Sequence, residues 1–439
     1  MRRLLPLLLA SALPLPATAQ QAASTVKPTA FTTRTLANGL RVYAIRDTAT
    51  PNVAIQVWYD VGGRDDPQGR SGFAHLFEHL MFKATRNLVP EQMDRLTEDV
   101  GGYNNASTND DYTNYYEMVP ANHLQRLLFA EADRMASLVV EQGTFASERD
   151  VVKEEYRQGL SRPYGKLFQT YLPQISYAVH PYARGVIGDV ANLDAATIED
   201  VRAFHATYYR PDNAVLVVAG NFDPAQLDRW IDQYFAPIRC PAGTIPRVTA
   251  AEPARTAPTA RTVYEPNTPL PAVVLSWQLP PDRDPDVPAL QVLDAIMATG
   301  ENSRLYRSLV YRDQLATAAE TSFDTRASTG TYALVAIMAG GKSAEAGEAA
   351  LRREVARFRD VPVTAGELAE ARNEILTAAT KRRETAEGKA FLLAQNVILN
   401  GDPRADEKQL AAVQAVTAAD VQRVARKYLA DSAVAALRY

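Results

Sequence analysis

The chain has 439 residues, too many for one ordinary domain and enough for two cores of about 200 residues each. Hydrophobic content of 46% and charged content of 22% are those of a globular protein. A net charge of −4, with no basic run, argues against a nucleic-acid binder, and no apolar stretch reaches the length of a membrane span.

At the N-terminus, Arg2 and Arg3 precede an apolar run over residues 4–16, and Ala17-Thr18-Ala19 follows. This reads as a secretory signal peptide over residues 1–19, cleaved before Gln20, which predicts a periplasmic or secreted protein. The single Cys240 cannot form an internal disulfide, so the cores alone must hold the chain together. Residues 20–30 read as a lead-in. Residues 34–46 carry the turn dipeptide Asn38-Gly39 followed by strand-like alternation, and residues 53–60 (VAIQVWYD) predict a second strand.

Residues 71–85 (SGFAHLFEHLMFKAT) place three polar groups in an apolar run. In a helix, His75 and His79 lie one turn apart on one face, and Glu78 sits on the same stripe. Two imidazoles so placed suit a tetrahedral zinc, and a carboxylate beside it can take a proton from water. The order His-x-x-Glu-His is the inverse of the commoner zincin motif. The plainer alternative is a buried helix with two hydrogen-bonded core histidines and one paired glutamate. Polar groups among Phe73, Leu76, Phe77, Leu80 and Met81 are costly without a shared partner, which favours a metal.

Residues 90–100 predict a helix stopped by Gly101-Gly102, residues 103–108 and 112–119 two strands, and residues 121–140 an amphipathic helix. Residues 147–160 continue as helix. Glu148 and Glu155 lie two turns apart, on a face with Val151 and Val152, and offer a candidate third ligand. The spacing alone does not choose between Glu154 and Glu155, about 100° apart around the axis. A solvated face, with Arg149 and Lys153 paired to neighbours, is the alternative. Helices over 198–209 and 224–235 flank a strand at 214–219, and residues 241–261, rich in Pro, Ala and Thr, read as a linker.

The second half then replays the first. Thr197, Asp200, Val201 and Tyr208 recur 220 positions later as Thr417, Asp420, Val421 and Tyr428, and a strand over 272–279 precedes a helix over 288–299 as strand 53–60 precedes the motif helix. The expectation is an α/β fold of two similar duplicated domains, 30–240 and 262–439, each a mainly antiparallel sheet packed with helices. All five histidines (His75, His79, His123, His180, His205) lie in the first half, so an imidazole site belongs there.

Taken together, the motif helix with its trailing Phe82-Lys83-Ala84-Thr85, the stretch Gly101-Gly102…Asn105-Ala106…Thr108, Glu148-Arg149-Asp150-Val151, His180-Pro181-Tyr182 and Tyr209-x-Pro211-x-Asn213-Ala214 resemble the pitrilysin family of zinc peptidases, with insulysin and mitochondrial processing peptidase as relatives. The resemblance spans nearly the whole chain beyond the leader. It implies His75, His79 and Glu155 as ligands of one Zn²⁺, Glu78 as the general base for the attacking water, and Glu148 as a carboxylate supporting the ligands. It also implies Asn105 and Ala106 on a strand that pairs with a peptide substrate. The implied architecture is one half of a clamshell that closes with a second subunit around a chamber, acting as an endopeptidase on peptides or unfolded segments. The family's far half supplies an Arg and a Tyr, but the matching positions here are Val310 and Thr317. That departure implies a heterodimer with a homologous subunit lacking the zinc motif. A homodimer is the alternative if Tyr311 and Arg312 substitute. The rival function class is a non-catalytic assembly or scaffold subunit of the same fold.

Overall fold

On either side of the Asn38-Gly39 turn, alternating residues pair as antiparallel strands β1 (Thr32–Thr35) and β2 (Arg41–Arg46). Gly39 sits at φ +88°, where a Cβ would also meet Asp212 at 2.7 Å, so this turn needs glycine. The computed structural model describes residues 26–439, and the leader expected over residues 1–19 lies outside them. From β2 the chain runs through β3 (Asn52–Tyr59), α1 (Phe73–Leu80), α2 (Gln92–Glu98), β4 (Tyr103–Thr108) and β5 (Thr113–Pro120). Helices α3 (Leu124–Ser137), α4 (Gln142–Ser161), α5 (Leu172–Ser176), α6 (Val190–Asp194) and α7 (Ile198–Tyr208) follow, then β6 (Ala214–Gly220) and α8 (Pro224–Tyr234).

These strands form a six-stranded sheet in the order β1-β2-β6-β3-β5-β4, antiparallel except where β2 meets β6. The central β3 and β6 are buried nearly throughout and read as continuous apolar runs, as strands covered on both faces must. Helices α1, α3, α7 and α8 bury their apolar stripes on one face. Phe77 of α1 stacks on Phe204 and Tyr209, which fixes the motif helix beside the β4 edge.

The second half comprises β7 (Thr259–Thr262), β8 (Ala272–Leu279), α9 (Val287–Ala298), β9 (Ala316–Asp324), β10 (Gly330–Met338), α10 (Ala344–Asp360), α11 (Ala365–Arg382), α12 (Ala386–Asn400), α13 (Ala405–Ala415), α14 (Ala418–Tyr428) and β11 (Ala435–Arg438). Its sheet order, β7-β11-β8-β10-β9, repeats β2-β6-β3-β5-β4 strand for strand, including the one parallel pair. The recurring residues 220 positions apart have a physical role. Thr197 with Asp200, and Thr417 with Asp420, form reciprocal caps at the starts of α7 and α14.

The two halves exchange helices. Leu393, Ala394 and Val397 of α12 pack on Tyr43, Ile45, Trp58, Val215 and Val217 of the first sheet. In return Leu167, Leu172 and Ile175 lie on Ala272, Val274, Ala333 and Val335 of the second. Each sheet therefore has one face covered by the other half, at about 1.5–3 kcal/mol for each large apolar side chain fully buried.

The linker expected over 241–261 is not loose. The Arg255 guanidinium donates to the carbonyls of Ile175 (2.8 Å), Ser176 (3.1 Å), Ser276 (3.1 Å) and Ala433 (2.9 Å). Glu252 accepts the backbone N–H groups of Ala178 (2.7 Å), Val179 (3.0 Å) and His180 (2.8 Å). Its last residues form β7, which lacks apolar periodicity because its order comes from parallel pairing with β11. His180-Pro181-Tyr182 belongs to the seam between the halves. Buried Tyr182 donates to Asp111 at 2.5 Å, Asp111 accepts the Ala327 N–H at 2.9 Å, and Arg326 lies over the Tyr182 ring at 4.6 Å.

Candidate metal centre

Helix α1 starts where Asp66 collects free backbone donors: its carboxylate accepts the N–H of Gly72 at 2.6 Å and of Ala74 at 2.9 Å. Gly72 has φ +93°, and a Cβ there would meet the Ile187 carbonyl at 2.6 Å, so glycine is required at this entry. The helix is shorter than the motif suggested. After Leu80 the chain leaves as a loop, and Thr85 bridges to Leu138. Phe73, Ala74, Leu76, Phe77 and Leu80 are buried, which leaves His75, Glu78 and His79 on the remaining stripe.

That stripe faces α4. His75 Nε2 lies 3.7 Å from Glu155 Oε2, and His79 Nε2 lies 3.6 Å from the same oxygen. The imidazole centroids are 5.0 Å apart with their planes at 83°. One ligand atom from each of His75, His79 and Glu155 lies within 4.8 Å of the others. These gaps exceed a hydrogen bond but match ligands around a tetrahedral zinc, about 3.4 Å apart for bonds of about 2.1 Å. Three electron-pair donors converging in this way fit a shared cation, and these residues could hold Zn²⁺.

A second layer orients the donors. His79 turns Nδ1 toward Glu148 Oε2 at 3.6 Å, and Glu148 Oε1 accepts from Lys83 at 3.0 Å. An Nδ1–H directed at Glu148 leaves the Nε2 lone pair aimed at Glu155. Glu148, Val152 and Glu155 share the inner face of α4, whereas Val151 points to solvent. Glu154 engages Gln158 at 3.2 Å and Arg157 at 3.5 Å instead of the two histidines.

Burial, then the charge of His79, pushes His75 down to about 4. Burial also disfavours protonated His79, but Glu148, Glu78 and Glu155 outweigh it and raise its pKa. Burial raises Glu78, with the Thr108 hydroxyl opposing. Burial opposes ionisation of Glu148, but His79 and Lys83 bring its carboxyl below the usual range.

Thr108, the last residue of β4, donates to Glu78 Oε2 at 2.5 Å, so the edge strand touches the helix that carries the cluster. Asn105 and Ala106 lie on this outermost strand, and the Ala106 N–H donates to Asn105 Oδ1 at 2.8 Å. The sequence alone assigns no role to Thr108 or Lys83. Lys83 lies in the loop after α1, beyond the reach of helical spacing, and Thr108 lies on β4, so both needed the fold. The other histidines lie apart from the cluster. His123 is on the surface beside Asn122, His180 caps the turn at Pro181, and His205 stacks on Tyr209.

Two family profiles match the chain, "Insulinase (Peptidase family M16)" over residues 41–190 and "Peptidase M16 inactive domain" over residues 195–375. The whole cluster falls in the first. The zinc protease PqqE of Helicobacter pylori is 29% identical over 406 residues, covering 91% of this chain and 90% of that protein. A probable mitochondrial-processing peptidase subunit beta of Arabidopsis thaliana is 24% identical over 409 residues, covering 91% of this chain and 76% of that protein. A protease crystal structure from Helicobacter pylori superposes with a TM-score of 0.90 at 26% identity, over 93% of this chain and 99% of that one.

Proposed function

Because the chain belongs to the insulinase family, peptidase family M16, we propose that it is a zinc-dependent endopeptidase whose ligands are His75, His79 and Glu155. The observation that carries this is the convergence of two imidazole nitrogens on one carboxylate oxygen at 3.6–3.7 Å. Bound zinc supplies Lewis acidity toward the scissile carbonyl and the attacking water. Glu78 takes the water's proton on its carboxylate and returns it to the leaving amine. The Thr108 hydroxyl, on Oε2, holds that carboxylate in one orientation and leaves Oε1 for the proton. Glu148 and Lys83 keep His79 in the tautomer that presents Nε2.

The outer edge of β4, with Asn105 and Ala106, supports a peptide added as a further strand, held through its backbone and tolerant of its side chains. Residues 30–240 and 262–439 are taken as the two homologous units of a half-clamshell. A second subunit would close the chamber. Val310 lies half-buried in the π-helical segment Tyr306–Arg312 before β9, and Thr317 gives its hydroxyl to the Ile337 carbonyl, so neither offers a charged or phenolic group. Arg312 is tied to Asp313 at 2.8 Å. This supports a heterodimer with a homologous subunit lacking the zinc motif, in keeping with the beta-subunit relative. Full hydrolytic activity of this chain alone would remove the heterodimer and leave the homodimer. Export to the periplasm or medium rests on the leader sequence alone. Among the described residues no helix is long and apolar enough to cross a membrane.

Metal analysis tests the reading directly. The purified chain should hold one zinc, and peptide hydrolysis by it or by its complex with a homologous subunit should be lost on chelation and regained on zinc addition. Glu78→Gln should keep the zinc and lose hydrolysis by about 10²–10⁴-fold. Turnover without metal, or undiminished turnover in that variant, would overturn the assignment. An assembly subunit without chemistry would show zinc binding and no turnover with any partner.

A further inference from the structure

Side chains alternate across β4. Ala106 is buried, Thr108 reaches Glu78, and Asn104 donates to Thr97 of α2 at 2.6 Å, so the even positions face the α1–α2 layer. Tyr103 and Asn105 face the other way, toward the start of α12. There Tyr103 donates its hydroxyl to Glu387 Oε2 at 2.6 Å, and Tyr116 stands opposite Asn105 on β5. Tyr103 is 46% exposed, and Tyr116 and Glu387 are half-exposed. Glu387 sits in the first turn of α12, where the helix end favours its charge. Among the described residues no basic side chain pairs with it, and Lys389, two positions on, is bound to Asp47 instead. Burial first, then the charges of Glu387 and Glu78, raise the Tyr116 hydroxyl.

A carboxylate with an uncommitted oxygen, flanked by two tyrosine rings at an open sheet edge, suits a cationic side chain, which gains an ion pair and ring contacts together. Tyr103 lies five residues from Thr108, about 17 Å along an extended strand at ~3.4 Å per residue. We propose that Glu387, with Tyr103 and Tyr116, forms a subsite selecting a lysine or arginine of a peptide laid along β4, about four or five residues from the cleaved bond. This rests on the peptidase reading above. It gives the half of the chain that has no histidine a direct part in choosing the substrate.

The test uses the full-length, zinc-loaded Glu78→Gln protein and fluorescent twelve-residue peptides, uncharged except for one lysine moved a position at a time. Norleucine replaces lysine in the controls. At the favoured position the lysine peptide should bind about three- to tenfold tighter than its control, and the preference should weaken with salt. Glu387→Gln should bring the ratio near one, Glu387→Lys should reverse it in favour of a glutamate peptide, and Glu387→Asp should retain it. An unaltered ratio in Glu387→Lys, no lysine preference at any position, or no binding of either peptide would overturn the subsite. Hydrolysis by the chain with Glu78 intact is read separately. Cleavage without lysine preference defeats only the subsite, and lysine preference without cleavage, also after addition of a homologous subunit lacking the zinc motif, defeats only the peptidase.

Discussion

Glu148 touches no candidate metal position, yet it decides what His79 can offer. It receives Lys83 on one oxygen and faces His79 Nδ1 with the other. Glu148→Gln should weaken zinc binding by about 10–100-fold in a chelator competition while leaving the fold intact. Asp66, at the start of the motif helix, predicts a pH effect of definite sign. Burial raises it to about 7 against the Ala74 and Gly72 N–H groups, and burial raises neighbouring Asp65 to about 6 against Arg64. The folded chain thus holds these protons more tightly than the unfolded chain. The stabilisation is complete below about 3.8 and is lost as pH rises through 6–7. In denaturant titrations of the zinc-free protein, D66N should gain on the native sequence between pH 5 and 8, by on the order of 1–3 kcal/mol.

Among the elements, α12 shows where sequence reading stops. The strands at 53–60, 103–108, 214–219 and 272–279 were legible because β-branched and aromatic runs between turn residues admit little else. The motif helix was legible because its polar residues recur one turn apart. A helix as evenly apolar as α12 carries no mark of which sheet it will cover, and nothing local reveals that it crosses to the first. Helix α4 begins at Gln142 and not at the expected 147, because Gln142–Ala146 has no apolar rhythm and is ordered by continuity with the charged turns that follow. For the candidate site, residue types and spacing point to His75, Glu78 and His79, but preferring Glu155 to Glu154 takes a resemblance, and Thr108 takes the sheet. Leu393 is 3% exposed against the first sheet, so Leu393→Ala should cost about 2–4 kcal/mol. Because α12 belongs to one half and packs on the other, both should still melt in one transition, seen as coincident curves by tryptophan fluorescence and circular dichroism.

At the scale of the whole molecule, two copies of one five-strand plan have diverged. The first kept the imidazoles and the open β4 edge, and the second lends α12 to cover and border the first. The traded helices make each copy a poor soloist. Expressed separately, either would show solvent the bare sheet face that its sibling normally shields, a large apolar patch of the kind that drives aggregation. Together, the two fragments should recognise each other without a peptide bond between them. A protease nick within 241–258 would then leave a two-piece protein that elutes, melts and binds zinc as the intact one does. Evolution could lengthen or rewrite that strap freely at its exposed positions, but could not inherit one lobe without the other.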